Sequence, residues 1–510
     1  MSVDLTLLLF WIVGSGLLLW AASLARQPLV TAVVAASTLV RSALAVVLYE
    51  ISARSLPIFT GLQAGPGFWI FSPDSAYLDQ YGRWAAIALR AGLGLPFASG
   101  TPDYPVTIAL LYRWLGPHPL YPVFLNVWAM GGAVIVTALL ARRLWGERGV
   151  RLPVLLVAFW PSLLVWSTQI LKDALAIFLT LLFFAGHLAF QRAGSWPRRL
   201  GWAVALGAVL FVLFRLRFYV AIALLAAAAL LWVVTSVRAV VRGTRRDVLA
   251  PTGLVAALVL AVALAAAVNP AWLGKVRDPL GVYWRLAAHM LSTGDEPGAR
   301  ELVRAIVSFS GSGQRAPADE ALLTDEYLDR LRRGNPPQLQ IRDDTEPSAE
   351  RLFRRGILQR ARAGFLGYGA ASNLDPDVRL TDMASVLRFL PKALVNAAFT
   401  PNPWMTMPAE GRLGALRPLA MLEVAMFAGV LLVAIPSVPR GFRAAPGLMT
   451  LVLVYAAVAA AGIGLIVPTV GLLVRLRLAF VIPLCLLADG RWLLDRARVG
   501  LARSARAGLA

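Results

Sequence analysis

Apolar residues in this chain come in long blocks separated by short basic stretches, not as alternating singles. A bilayer core needs about 20 apolar residues per helix, and inside lipid a helix satisfies all its own backbone polar groups. The pattern predicts eleven membrane spans, over about 3–25, 29–49, 119–141, 151–168, 171–190, 200–218, 219–237, 249–268, 417–436, 446–468 and 478–494. A weaker segment, 386–400, holds Arg388, Pro391 and Lys392 and reads as interfacial or re-entrant. The expected fold is an all-α polytopic membrane protein with about 11 transmembrane helices and helical extracytoplasmic loops. Its expected divisions are an N-terminal transmembrane module (1–268) containing the first loop (50–118), a partly interfacial helical segment (269–416) and a C-terminal transmembrane module (417–510). Within 269–416, residues 325–333 and 349–363 look helical, the second capped by Ser348 after Pro347.

Lys and Arg in short loops set orientation. One set of loops and the C-terminal tail, from Arg26 through Arg142, Arg192, Arg238 and Arg440 to Arg506, carries 19 arginines against the four acids Glu147, Asp247, Asp489 and Asp495. That side is expected to be the cytoplasm, with the N-terminus outside and the C-terminus inside. The segments 50–118 and 269–416 then face outward, the second nearly balanced with 19 basic and 17 acidic residues.

Composition agrees with this picture and closes off others. The 510 residues are 58% hydrophobic and 15% charged, which excludes a soluble enzyme, a disordered chain and a fibrous protein. The net charge of +21 is mostly the topology signal, so nucleic acid is not an expected partner. A single cysteine, Cys485, permits neither a disulfide framework nor a CxxC zinc site, and HExxH and GxxxxGK are both absent.

The first outer loop contains Phe71-Ser-Pro-Asp-Ser-Ala-Tyr-Leu-Asp-Gln-Tyr-Gly-Arg83. Ser72 can cap a helix that starts at Pro73, which puts Asp74 in the first turn, with Tyr77, Tyr81 and Trp84 following at helical spacing for a helix at the membrane surface. Asp74 either complements the helix dipole or serves as a general base at the outer face. Asp79 is a second candidate, with Tyr77 beside it as a substrate contact. Asp103, in Thr-Pro-Asp-Tyr-Pro, is a third, or simply a turn residue between prolines.

Several charges run against the topology rule. Arg215-Leu-Arg217 and Arg475-Leu-Arg477 both fall at expected outer ends of spans, in similar surroundings. Two arginine forks there would suit a phosphate carried on a lipid, and the competing account is snorkelling to the interface. Lys172-Asp173, at the outer end of another span, is either a helix-end charge pair or a second acid with a cation beside an anionic group. Glu423 and Arg41 lie inside spans and call for partners, while His187 reads as a core histidine. A carboxylate-only divalent-cation site at Asp74 and Asp173 stays open, and no other cofactor is indicated. Asp375-Pro-Asp377 is a weak DxD pattern.

With these pieces in order, the stretch from about 70 to 220 resembles the GT-C superfamily of membrane glycosyltransferases, near the dolichyl-phosphate-mannose protein mannosyltransferases and aminoarabinose transferases. The matching pieces are Ser72-Pro-Asp74 with Tyr77, Asp103-Tyr-Pro105, Leu111-Tyr-Arg-Trp-Leu-Gly116-Pro, Ala141-Arg-Arg-Leu-Trp-Gly146 and Trp160-Pro-Ser162 through Leu171-Lys-Asp173. Arg475-Leu-Arg477 followed by Pro483 is similar to the ending of many such proteins. Two departures are an additional span ahead of the loop and Ser75 where close relatives of the mannosyltransferases carry a second acid.

The resemblance implies a polyprenyl-phosphate-linked sugar donor and a glycan, lipid or protein acceptor outside the cytoplasm of a bacterial inner membrane. It puts Asp74 at the family's catalytic acid and Asp173 near its second acidic position. It also implies an inverting displacement in which a carboxylate takes the acceptor's proton and arginines stabilise the departing phosphate. Two other uses of the same lipid fit the residues: a polysaccharide polymerase or ligase, and a non-enzymatic transporter of lipid-linked sugars.

Overall fold

The computed structural model describes residues 5–95, 103–242, 246–267, 281–310, 317–334, 357–366, 373–402 and 417–491. Apart from a short antiparallel hairpin, β1 (Gln63–Gly65) and β2 (Phe68–Trp69), and an isolated bridge between Asn373 and Thr469, the regular structure there is helical. Among the described residues, seven helices are long and apolar enough to cross a membrane, so the chain is an all-α, membrane-embedded protein.

The chain divides into two compact units. Unit 1 comprises Met1–Ser75, Leu120–Val268 and Arg355–Ala510; unit 2 comprises Ala76–Pro119 and Asn269–Arg354. These units cut the chain differently from the sequence expectation, which kept 269–416 together. Side-chain packing is the reason. Trp84 and Ala88 of the first loop share a core with residues 284–331, whereas residues beyond 355 pack among the membrane helices.

Unit 1 begins with α1 (Leu5–Ser23) and α2 (Pro28–Ala53), continues through the hairpin and takes in the first turn of α3 (Pro73–Arg90). Then come α5 (Leu120–Trp145), α6 (Arg151–Phe159), α7 (Pro161–Trp166), α8 (Asp173–Arg192), α9 (Trp196–Val241) and α10 (Arg246–Ala267). After residue 355 follow α14 (Ile357–Leu366), α15 (Met383–Phe399), α16 (Arg417–Ala434), α17 (Val438–Ala444), α18 (Pro446–Ile466), α19 (Val470–Leu476) and α20 (Leu478–Cys485). One large apolar core joins α5, α8, α9, α18 and α20. α1 leaves Leu5, Leu9, Val13, Leu17 and Trp20 exposed, as a helix facing lipid would.

Two expected spans take a different form, and two adjacent ones meet end to end about where expected. The stretch 151–168 is two helices because Pro161 starts a new one, leaving Trp160 extended with ψ at 123°. The spans 200–218 and 219–237 are the halves of α9, broken at Arg217, whose φ of −148° and ψ of 78° are not helical. Trp232 donates to Thr252 Oγ1 at 2.9 Å, and the Trp196 ring packs at neighbouring Gly253. On a straight helix positions 196 and 232 would lie about 54 Å apart. The chain therefore reverses at Arg217. The expected span 478–494 starts as α20, which ends at Cys485.

The weaker segment 386–400 is α15, capped by Asp382, whose side chain accepts the Ser385 N–H at 2.7 Å while the Ser385 hydroxyl approaches the Asp382 N–H. Met383, Leu387 and Val395 lie exposed along one side of it.

Unit 2 contains the rest of α3, α4 (Asp103–Leu115), α11 (Gly281–Ser292), α12 (Glu296–Ser310) and α13 (Pro317–Arg332). Its core gathers Trp84, Trp284, Met290, Val303, Val307 and Leu328. Tyr81 and Trp84, expected on a surface helix, are buried here, while Tyr77 stays about half exposed. Of the two helix-like stretches foreseen in 269–416, 325–333 lies at the end of α13 and 357–363 falls within α14; Ser348 and residues 349–356 lie outside the described residues.

Candidate functional site

Helix ends create the site. Pro73 begins α3 and puts Asp74 in its first turn; the Ser72 and Ser75 hydroxyls bond to each other across that turn. Ser75 Oγ also donates to Ile170 O at 3.3 Å, tying the start of α3 to the connection between α7 and α8. Buried Asn126, a polar residue inside an apolar span, donates to Gln169 O at 2.8 Å and Leu171 O at 2.7 Å. Three successive carbonyls are thereby satisfied in a segment that makes no helix, and the segment ends at Asp173, the first residue of α8.

Arg475 closes the constellation. Its Nε donates to Asp173 Oδ2 at 2.8 Å and its Nη1 to Asp74 Oδ2 at 2.8 Å. Arg217, at the break in α9, donates to the other Asp173 oxygen, Oδ1. Two guanidinium groups and two carboxylates from four separate parts of the chain thus form one hydrogen-bonded array. The aspartates differ: the Asp74 side chain is 55% exposed and that of Asp173 only 10%. Lys172 is half-buried and within electrostatic reach of Asp74, Asp173, Arg217 and Arg475. Beneath Asp173 lies a cavity of about 10 Å³ lined in part by Thr180, Arg217, Tyr219 and Arg475, room for about one water.

The two arginine pairs do not act alike. Arg475 and Arg217 meet the aspartates, and Arg215 is half-buried on the first half of α9. Arg477, expected to bind substrate, is instead buried in an ion pair, its Nη2 at 3.0 Å from Glu423 Oε2 and its Nη1 donating to Thr400 O at 2.7 Å. Two residues after Arg475 and just past the end of α19, it is anchored in the protein interior.

The remaining first-loop candidates belong to unit 2. Asp79 has both oxygens engaged, Oδ1 by the Tyr112 hydroxyl and Oδ2 by Arg83 Nε at 2.7 Å. It fastens α3 to α4. Burial, with the Asp79 charge and hydrogen bond adding to it, pushes the Tyr112 phenol above its ordinary value. Tyr77 stacks loosely toward Tyr81, their ring centroids 6.5 Å apart. Asp103 starts α4, and its side chain lies outside the described residues.

Asp74 and Asp173 are also the pair considered for a divalent cation. Among the described residues no group of three or more His, Cys, Asp or Glu converges, and both carboxylates already face guanidinium groups. That donor set does not fit a cation.

Away from the charges, Leu394, Phe399, Phe427, Leu453, Ala460 and Phe480 are among the side chains lining an apolar cavity of about 330 Å³ between α15, α16, α18 and α20. Asp375, of the DxD pattern, accepts from Lys392 and from Asn396 Nδ2 at 3.0 Å, which holds its loop against α15.

Sequence reasoning missed Asn126 and the destination of Glu423. The available signal was the same for both, a polar residue inside an otherwise apolar span. No protein-family model matches the chain, and no curated protein matches it significantly.

Proposed function

We propose that the chain is an integral membrane glycosyltransferase of the GT-C kind, with about 11 transmembrane helices. It would transfer a sugar from a polyprenyl-phosphate-linked donor to a glycan, lipid or protein acceptor at the outer face of a bacterial inner membrane. The observation that carries this reading is Arg475 spanning Asp74 and Asp173, one carboxylate open and the other buried beside a second arginine.

In this reading the acceptor hydroxyl or amine attacks the anomeric carbon while Asp74 takes its proton, an effect worth about 10²–10⁴-fold. The bond from that carbon to the phosphate oxygen breaks, and the phosphate leaves with added negative charge. Arg475 and Arg217 receive that charge in a preorganised, largely dry setting. Asp74 and the donor phosphate compete for the same Arg475 nitrogen, so donor binding releases Asp74 toward the acceptor. Asp173, held between two guanidiniums, stays in place and orients both. One base with direct displacement inverts the anomeric centre, unlike the two-carboxylate retaining route. The phosphate bond of the donor supplies the driving force, in keeping with a chain without GxxxxGK. The apolar cavity would take hydrocarbon of the donor.

The deciding experiment is a mass-spectrometric inventory of polyprenyl-phosphate lipids in host cells carrying the wild type or a folded Asp74→Asn variant. A lipid-linked sugar that accumulates only with the variant is expected, and it would identify the donor. An unchanged inventory would remove Asp74 from catalysis and move weight to a transporter.

A further inference from the structure

Glu423 lies on α16, fully buried, and its two oxygens face different parts of unit 1. Oε1 accepts the backbone N–H of Ser162, in the first turn of α7, at 2.5 Å. Oε2 accepts Arg477 Nη2 at 3.0 Å. Ser162 precedes Asp173 by eleven residues, through six-residue α7 and the pinned connection. Arg477 follows Arg475 by two. The two segments that bring Asp173 and Arg475 together are therefore joined a second time, deeper in the protein, through one carboxylate.

The other end of α7 is held in the complementary sense. Arg41, fully buried on α2, donates from Nε to Oγ of Ser167, the residue just past α7, at 3.0 Å, and from Nη1 to Ala158 O of the preceding α6 at 2.6 Å. A carboxylate thus sits at the N-terminus of α7 and a guanidinium at its C-terminus, each matching the sign of the helix dipole. Burying ions away from water is costly, and well-packed apolar residues often replace a buried pair with no loss of stability. Stability alone does not explain placing these charges inside membrane helices. Their geometry does: they fix a short helix at both ends, and that helix leads to Asp173.

We infer that Glu423 is a positioning residue that sets the Asp173–Arg475 contact by tying α7 to Arg477. The consequence for donor binding rests on the proposed lipid-phosphate site; the geometric claim does not.

The test uses the full-length chain in lipid nanodiscs. Three proteins are compared: wild type, Glu423→Leu/Arg477→Leu, and Glu423→Gln/Arg477→Gln. The readouts are thermal unfolding, a cryo-electron-microscopy structure, and binding of farnesyl monophosphate with farnesol as the uncharged control.

The leucine pair is expected to melt with the wild type, yet its Arg475 Nε to Asp173 Oδ2 distance should open from 2.8 Å to a gap with no hydrogen bond, and farnesyl monophosphate should bind about tenfold more weakly. The glutamine pair keeps an acceptor for the Ser162 N–H and should restore both. A folded leucine pair with the Asp173–Arg475 contact unmoved overturns the inference. If the leucine pair does not fold, Glu423→Asp takes its place: its carboxylate still neutralises Arg477 but falls a methylene short of Ser162, so the same opening is expected and an unmoved contact overturns the idea. A wild type that binds no farnesyl monophosphate overturns the donor reading instead, while the distance still decides the positioning role.

Discussion

Arg475 shows how much one side chain can be asked to do. Its planar fork reaches two carboxylates at once, 2.8 Å from each, a geometry the single ammonium of lysine cannot reproduce. Arg475→Lys should therefore cut sugar transfer by about 10²-fold or more, measured with isolated lipid donor in nanodiscs, while the fold survives. Arg475→Ala should also cost about 3–5 kcal/mol in unfolding experiments, because buried Asp173 loses one of its two cationic partners. A second residue-scale outcome concerns Tyr112. Burial and the neighbouring Asp79 raise its phenol, so the folded state disfavours the ionised form. A group raised in the folded state contributes stability below its unfolded value, about 10, and that stability is lost as pH rises above it. Unfolding followed across pH 9–11 should show this loss in the wild type, and Tyr112→Phe should lessen it by that one group's share.

Among the helices, the breaks carry more chemistry than the straight runs. Pro161 divides what reads as one apolar span, Arg217 reverses α9, and Arg477 separates α19 from α20. Each break frees helix-end groups, and the break at Arg217 brings that arginine to Asp173. An uninterrupted helix would have satisfied its backbone internally and offered nothing. Apolar content predicts that such a segment is buried in lipid or protein; the break at Arg217 falls one residue from the boundary expected between the spans 200–218 and 219–237, whereas the division at Pro161 inside 151–168 was not foreseen. Close packing between elements is similarly invisible in sequence until glycine is read with its neighbour. A Cβ at Gly464 of α18 would lie 2.1 Å from the carbonyl oxygen of Ala393 in α15. Backbone cannot swing aside as a side chain can, so Gly464→Ala should push α15 away and lower stability by about 1–3 kcal/mol in a melting experiment. Gly16, in α1, has open space around it, and Gly16→Ala should be neutral or stabilising by up to about 1 kcal/mol.

At the level of the whole molecule, the arginine distribution predicts an orientation that labelling can check. In intact cells a membrane-impermeant thiol reagent should reach cysteines placed at Ser55 or Leu322, and should reach one at Arg443 only after permeabilisation; the native Cys485 is buried. The reverse pattern would put the Asp74 cluster on the cytoplasmic side and remove the proposed donor chemistry from the outer face.

Hydropathy by itself determined the class of this protein: all-α and membrane-embedded. Those properties come from transfer of side chains between water and lipid, which each segment experiences on its own. Local rules were also enough for the start of α3 at Pro73 and the place of Asp74 in its first turn. Which charges meet was a tertiary decision. Arg475 and Arg477 are equivalent in sequence, two members of one motif, yet one joins Asp74 and Asp173 and the other is sealed against Glu423. Nothing local separates them, because their partners lie up to 401 positions away. Only packing, under the penalty for leaving a buried charge without a partner, assigns one arginine to the site and the other to its support.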